Sequence, residues 1–87
     1  MSGQRVRASD IEDWSRVPKE FMPGAAGKAS MLTWGKSPDV GTVIGLRHPE
    51  GGMAAYRVIE RAQRHFAADY DGIIVRLEFI PGRSIEP

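Results

Sequence analysis

"AAYRVIERAQRHFAADYDGIIVRLEFIPG", residues 54–82, decides the fold of this chain. Its second half alternates. Ile73, Val75, Leu77 and Phe79 form one apolar face, and Ile74, Arg76, Glu78 and Ile80 form a mixed one, the period of a strand. Pro81-Gly82 ends it. The first half reads two ways. As a helix over 53–68 it gathers Ala55, Val58, Ile59, Ala62 and Phe66 on one face. Arg57, Glu60, Arg61 and Arg64 then fall opposite, with Glu60 and Arg64 in a favourable i,i+4 relation. As a strand it places Tyr56, Val58, Ala62 and Phe66 on one face with two misfits, Glu60 and Arg64. A bulge near Glu60 is then required. "YRVI" is strong β composition. A proline–glycine turn precedes the segment and "DYDG" follows it, which are hairpin signals on both sides.

Working outward, "VGTVIGLR" at 40–47 is rich in β-branched residues and reads as a strand, with Gly45 marking a bulge or a close backbone approach. "HPEGG" at 48–52 is a turn. "MLTW" at 31–34 reads as a short strand, and residues 18–30 as a loop anchored by Phe21 and Met22. Ser9 stands three residues before Glu12, the capping-box spacing, so a short helix is expected near 10–16 with Ile11 and Trp14 as its apolar face. The expected fold is therefore mainly β, a small α+β domain. An antiparallel meander (40–47, 54–65, 72–80) curls into a partly open barrel with a short N-terminal helix. β-α-β with helix 53–68 is the alternative.

The strand and turn pattern resembles that of small SH3-like barrels. It is carried by G-x-V-I-x-L in Gly41 to Leu46, Y-R-V-I-E-R in Tyr56 to Arg61, and D-G-x-x-V-x-L in Asp71 to Leu77. The resemblance spans about half the chain and implies a fold, not a function.

Eighty-seven residues make one domain, 1–87, with residues 1–8 and 83–87 read as flexible ends. The core is thin at this size, and there is no cysteine to staple it. The absence of cysteine also excludes disulfides, thiolate catalysis and cysteine-ligated metal. A net charge of +1 lacks the basic excess of a dedicated nucleic-acid binder, although nine of the twelve basic residues are arginine. "MSGQRVRASD" has no apolar signal region, and no apolar run approaches a membrane span. The expected location is cytoplasmic.

The chemistry-bearing motifs point away from catalysis. "GAAGKAS" at 24–30 lacks the spacing of a phosphate loop, and Lys28 is followed by alanine. His48 and His65, with Glu50, Asp69 and Asp71, lack metal-ligand spacing. No serine is placed as a nucleophile: Ser9 reads as a cap, Ser37 precedes a proline, and Ser84 lies near the end. No catalytic residue, metal ligand or cofactor is assigned, and the chain is not expected to be an enzyme.

The suggestive feature is a surface. On a strand, Arg57 and Arg61 share a face, and Arg76 of the next strand joins them. Ile74 and Ile80 on the mixed face of the last strand offer an apolar patch for a partner or a second subunit. The expected function is a non-enzymatic protein-interaction module, self-associating or acting as a subunit or inhibitor of a larger assembly. Its partner-binding residues would be Arg57, Arg61, Arg76, Ile74 and Ile80. By analogy alone, small β modules also occur in phage particles and as inhibitors encoded by mobile elements. The alternative is a nucleic-acid-binding module using Arg57, Arg61 and Arg64, with Trp34 and Tyr56 as stacking platforms.

Overall fold

A computed structural model describes residues 5–48, 50–67 and 70–87, with Phe66, Ala67 and Tyr70 described by their backbone alone. Among the described residues the strands are, in order, β1 (Val6–Arg7), β2 (Glu12–Asp13), β3 (Lys19–Pro23), β4 (Lys28–Thr33), β5 (Val43–Arg47), β6 (Met53–Ala67), β7 (Tyr70–Ile80) and β8 (Ile85–Glu86). Two single 3-10 turns, Ala8–Asp10 and Gly82–Ser84, supply the helical content. No helix among these residues is long and apolar enough to cross a membrane.

The ambiguous segment is thus a strand, and the β-α-β alternative falls. Pairing on both sides overrides the helix propensity of its alanines: β6 lies between β5 and β7 in an antiparallel meander. The required bulge is present. Val58 pairs with Leu77 and Glu60 with Arg76, leaving Ile59 as the extra residue. A second irregularity lies between His65 and Ala67. The turn into β6 uses Gly51 and Gly52, both at positive φ (103° and 79°). Pro49 of that turn lies outside the described residues.

The main sheet has the order β2-β5-β6-β7-β4-β3. All neighbours are antiparallel except β2 and β5. β2 and β3 are its two edges, so the sheet is open and not closed into a barrel. It is nonetheless strongly curved. β3 and β6 stand three positions apart, about 14 Å in a flat sheet. Yet the rings of Phe21 and Tyr56 meet with centroids 5.5 Å apart.

Direct cross-strand partners share a face, so the register sorts the side chains. Ile44, Leu46, Val58, Val75, Leu77, Ala29 and Met31 line the concave face, and Trp14 packs among them at 3% exposure. Truncating so large a buried side chain to alanine costs about 3–5 kcal/mol, a large share of the stability of a small domain. On the convex face a smaller cluster joins Val43, Ala55 and Ile80 to Val6. The parallel β1–β8 ribbon contributes to its cover, with Val6 opposite Ile85.

The N-terminal region departs from expectation. Residues 10–16 do not form a helix: after the 3-10 turn, Glu12 and Asp13 pair with Ile44 and Gly45. Ser9 lies inside the 3-10 turn, whose N-cap position is Arg7, and Glu12 Oε1 accepts a hydrogen bond from Trp14 Nε1 at 2.9 Å. In extended backbone an offset of three residues points to opposite faces. Ile11 accordingly packs with the convex cluster while Trp14 enters the concave one. Residues 18–30, read as a loop, hold β3 and the start of β4. Pro23 is tolerated because β3 is an edge strand. Of the ends read as flexible, residues 6–7 and 85–86 pair with each other, and residues 1–4 lie outside the described residues.

Candidate functional site

The bulge at Ile59 decides which side chains can act together. Before it, even-numbered residues of β6 face the concave side. After it, odd-numbered residues do. Arg57 and Arg61, expected to share a face, therefore lie on opposite ones. Arg57 is convex, half-buried opposite Val43 and Glu78. Arg61 is on the concave side, where its Nη2 donates to Ser37 Oγ at 2.7 Å and its Nη1 lies 3.5 Å from Asp39 Oδ1.

The bulge also relocates the two misfits of the strand pattern. Glu60 and Arg64 join Ala62 on the convex face. There Glu60 meets Arg76, and Ala62 meets Ile74. Ser30 and Met22 continue the first of these rows across β4 and β3, and Leu32 and Glu20 continue the second. Arg64 stands opposite Gly72, so no side chain shares its place in the ladder.

Arg76, Ser30 and Met22 of the first row, Ile74 of the second and Arg64, with the β3–β4 turn, line an open groove of about 600 Å³; Glu60 and Glu20 of the same rows lie outside its lining. Met22, Pro23 and Ile74 give it apolar surface, and Lys28, Arg64 and Arg76 give it three cations. Among the described residues no carboxylate lines it. Lys28 Nζ lies 3.2 Å from Glu78 Oε2 and Arg76 Nη1 lies 3.4 Å from Glu60 Oε1. All four side chains are about half exposed, so each ion pair is worth about 1 kcal/mol or less. Arg64 makes no hydrogen bond or ion pair among the described residues.

The structure thus brings Arg76, Ile74 and Arg64 together. Ile80 is withdrawn from the surface, 8% exposed beside Val6 and Ala55. Trp34 follows β4 and is half-buried. Tyr56 lies on the concave side, in edge contact with Phe79 at 5.6 Å and beside Phe21. The five residues of the nucleic-acid alternative are therefore divided between the two faces. Lys28 and Met22 were not assigned from the sequence. Their signal, the hairpin that carries them, was hidden by two prolines and two glycines.

A second concavity of about 300 Å³ opens beside the aromatic trio, lined by Phe21, Tyr56, Leu46, Arg47 and His48 among others. Lys19 also reaches it, but its ammonium is occupied. It donates to the backbone oxygens of Trp14 (2.6 Å), Val17 (2.9 Å) and Ser15 (3.3 Å). Desolvation by burial holds this ammonium below the ordinary lysine value. His65 Nδ1 lies 2.6 Å from Asp71 Oδ1 on the exposed part of the β6–β7 hairpin. Asp69 of the candidate metal set lies outside the described residues. No group of three potential ligands is assembled among those described.

Comparison with known protein families, curated proteins and solved structures finds no match for this chain.

Proposed function

We propose that this chain is a non-enzymatic protein-interaction module, a small, partly open SH3-like barrel in the cytoplasm. It binds a protein through the convex groove and acts as a subunit or inhibitor of a larger assembly. The observation that carries this reading is the groove itself. Apolar surface from Ile74 and Met22 is flanked by Lys28, Arg64 and Arg76, with Glu78 and Glu60 paired to two of these cations outside the lining. Apolar centres with charged rims are the usual make-up of protein-binding patches. Nucleic acid fits less well, because the cations do not form a continuous track with the aromatic residues.

The test is site-specific photo-crosslinking in the host cell. A benzophenone side chain at Met22 is expected to give discrete protein adducts that survive nuclease treatment. The same group at Val40, which is exposed and outside the groove, should not. Adducts of equal yield at both positions, or adducts that nuclease removes, would overturn the reading.

A further inference from the structure

We propose that the groove takes an extended acidic segment of its partner, with the side-chain order carboxylate, apolar, carboxylate at positions i, i+2 and i+4. This rests on the reading of the groove as a protein-binding surface. The convex register supplies the pattern. One row holds Arg76 beside Glu60, the next holds Ile74 beside Ala62, and the third holds Arg64 opposite Gly72. The Arg76–Glu60 ion-pair row, an apolar row and the Arg64 row thus follow one another along the strands. From Glu60 to Arg64 the strand rises about 14 Å. An extended ligand lying along the strands presents alternate side chains at the same spacing, so the match needs no distortion of either chain.

Charge selects the ligand. Three cations line the groove; Lys28 and Arg76 are paired to Glu78 and Glu60 at its margin, and Arg64 has no acidic partner among the described residues. The two existing ion pairs are exposed, so an incoming carboxylate displaces Glu60 or Glu78 at little loss. The apolar row argues against a polynucleotide. Phosphates recur at every nucleotide, and the middle of the groove would offer them Ile74 in place of a cation.

The probe is a fluorescein-labelled peptide, Gly-Glu-Ser-Leu-Ser-Glu-Gly, titrated with the full chain at low salt and followed by anisotropy. Its controls are the same peptide with serine in place of leucine, a scrambled peptide, and an oligothymidylate of about twelve nucleotides. The probe is expected to bind best, with amide shifts in two-dimensional NMR centred on Ser30 and Ile74. Arg64→Ala should weaken it by at least about threefold, and Arg64→Glu by more. Ser30→Glu, which places a carboxylate in the groove, should weaken it with Arg64 intact. Equal binding of the scrambled peptide, tighter binding of the oligothymidylate, or indifference to both Arg64 variants would overturn the proposal. Failure of the peptide together with nuclease-resistant adducts at Met22 would reject this ligand chemistry and leave the surface standing. Failure of both would reject the surface as well.

Discussion

Lys19 Nζ lies 2.6 Å from the carbonyl oxygen of Trp14, and this contact joins the two edges of the sheet. Trp14 follows the edge strand β2, and Lys19 begins the opposite edge strand β3. The lysine also donates to the carbonyls of Ser15 and Val17 in the turn between them. Lys19→Met leaves those oxygens to solvent and should lower stability by about 1–2 kcal/mol, measured by urea unfolding. Burial lowers the pKa of this lysine in the folded state. The unfolded chain then holds its proton to higher pH. Raising the pH toward the ordinary lysine value should therefore favour the folded wild type relative to Lys19→Met.

Asp13 reports on the other end of the same turn. Its carboxylate accepts the Ser15 backbone N–H at 2.9 Å. Hydrogen bonds from the Ser15 side chain and backbone hold its pKa below the usual aspartate value. A depressed folded-state pKa means stability that is present above the unfolded value and lost as pH falls through the folded one. Asp13→Asn should flatten the decline in melting temperature below about pH 4, with a smaller effect at neutral pH.

The Ile59 bulge predicts an unusual tolerance to deletion. Removing one residue from a strand normally turns every later side chain to the other face. Here Ile59 is the unpaired one, so its deletion joins Val58 to Glu60 with both registers and both faces preserved. This variant should fold cooperatively and lose no more than about 2 kcal/mol. Deletion of Arg76 from β7, where no extra residue can absorb it and where the ladders to both β4 and β6 are broken, should abolish folding. Circular dichroism and thermal melts of the two deletions decide it.

A side chain at Gly45 is expected to displace a neighbour. A methyl group there would collide with Met53 Sδ and crowd Ile11 Cγ2 at 3.0 Å. Because Met53 is 45% exposed and its thioether can swing away, Gly45→Ala should destabilise by about 1 kcal/mol, chiefly through Ile11. Met53→Ala in the same background should recover part of that loss, giving a favourable coupling in a double-mutant cycle.

These elements differ in how plainly the sequence announced them. The strand through Ile73, Val75 and Leu77 alternates cleanly because one of its faces is buried at its centre, at Val75 and Leu77, although Phe79 at its end is exposed. The Glu60 anomaly located the bulge to within a residue, since a charged side chain cannot stay in phase with Tyr56 and Val58 on the inner face. Its consequence for the arginines needed more. Whether Arg57 and Arg61 share a face depends on whether the extra residue lies between them, and composition is silent on that. The Ser9–Glu12 spacing is a local signal, and pairing of Glu12 and Asp13 with β5 outcompetes it. β3 was hidden because prolines mark loops and edge strands alike, and only the pairing with β4 tells them apart. Two groove residues, Met22 and Lys28, went unseen for that reason, whereas Arg64, Arg76 and Ile74 were already in view.

The pairing of β4 with β7 has a bearing on how fast the chain reaches this structure. It brings Lys28 to Glu78, fifty residues away in sequence. The β3–β4, β5–β6 and β6–β7 ladders join neighbours in the chain and can form early. The β4–β7 ladder must instead close a long loop before its contacts compensate for the lost entropy. Folding is therefore expected on the millisecond-to-second scale of non-local β topologies rather than in microseconds. Until that ladder forms, the hydrogen-bonding edges of β4 and β7 stand open, and they are where misassociation of the nascent chain would begin.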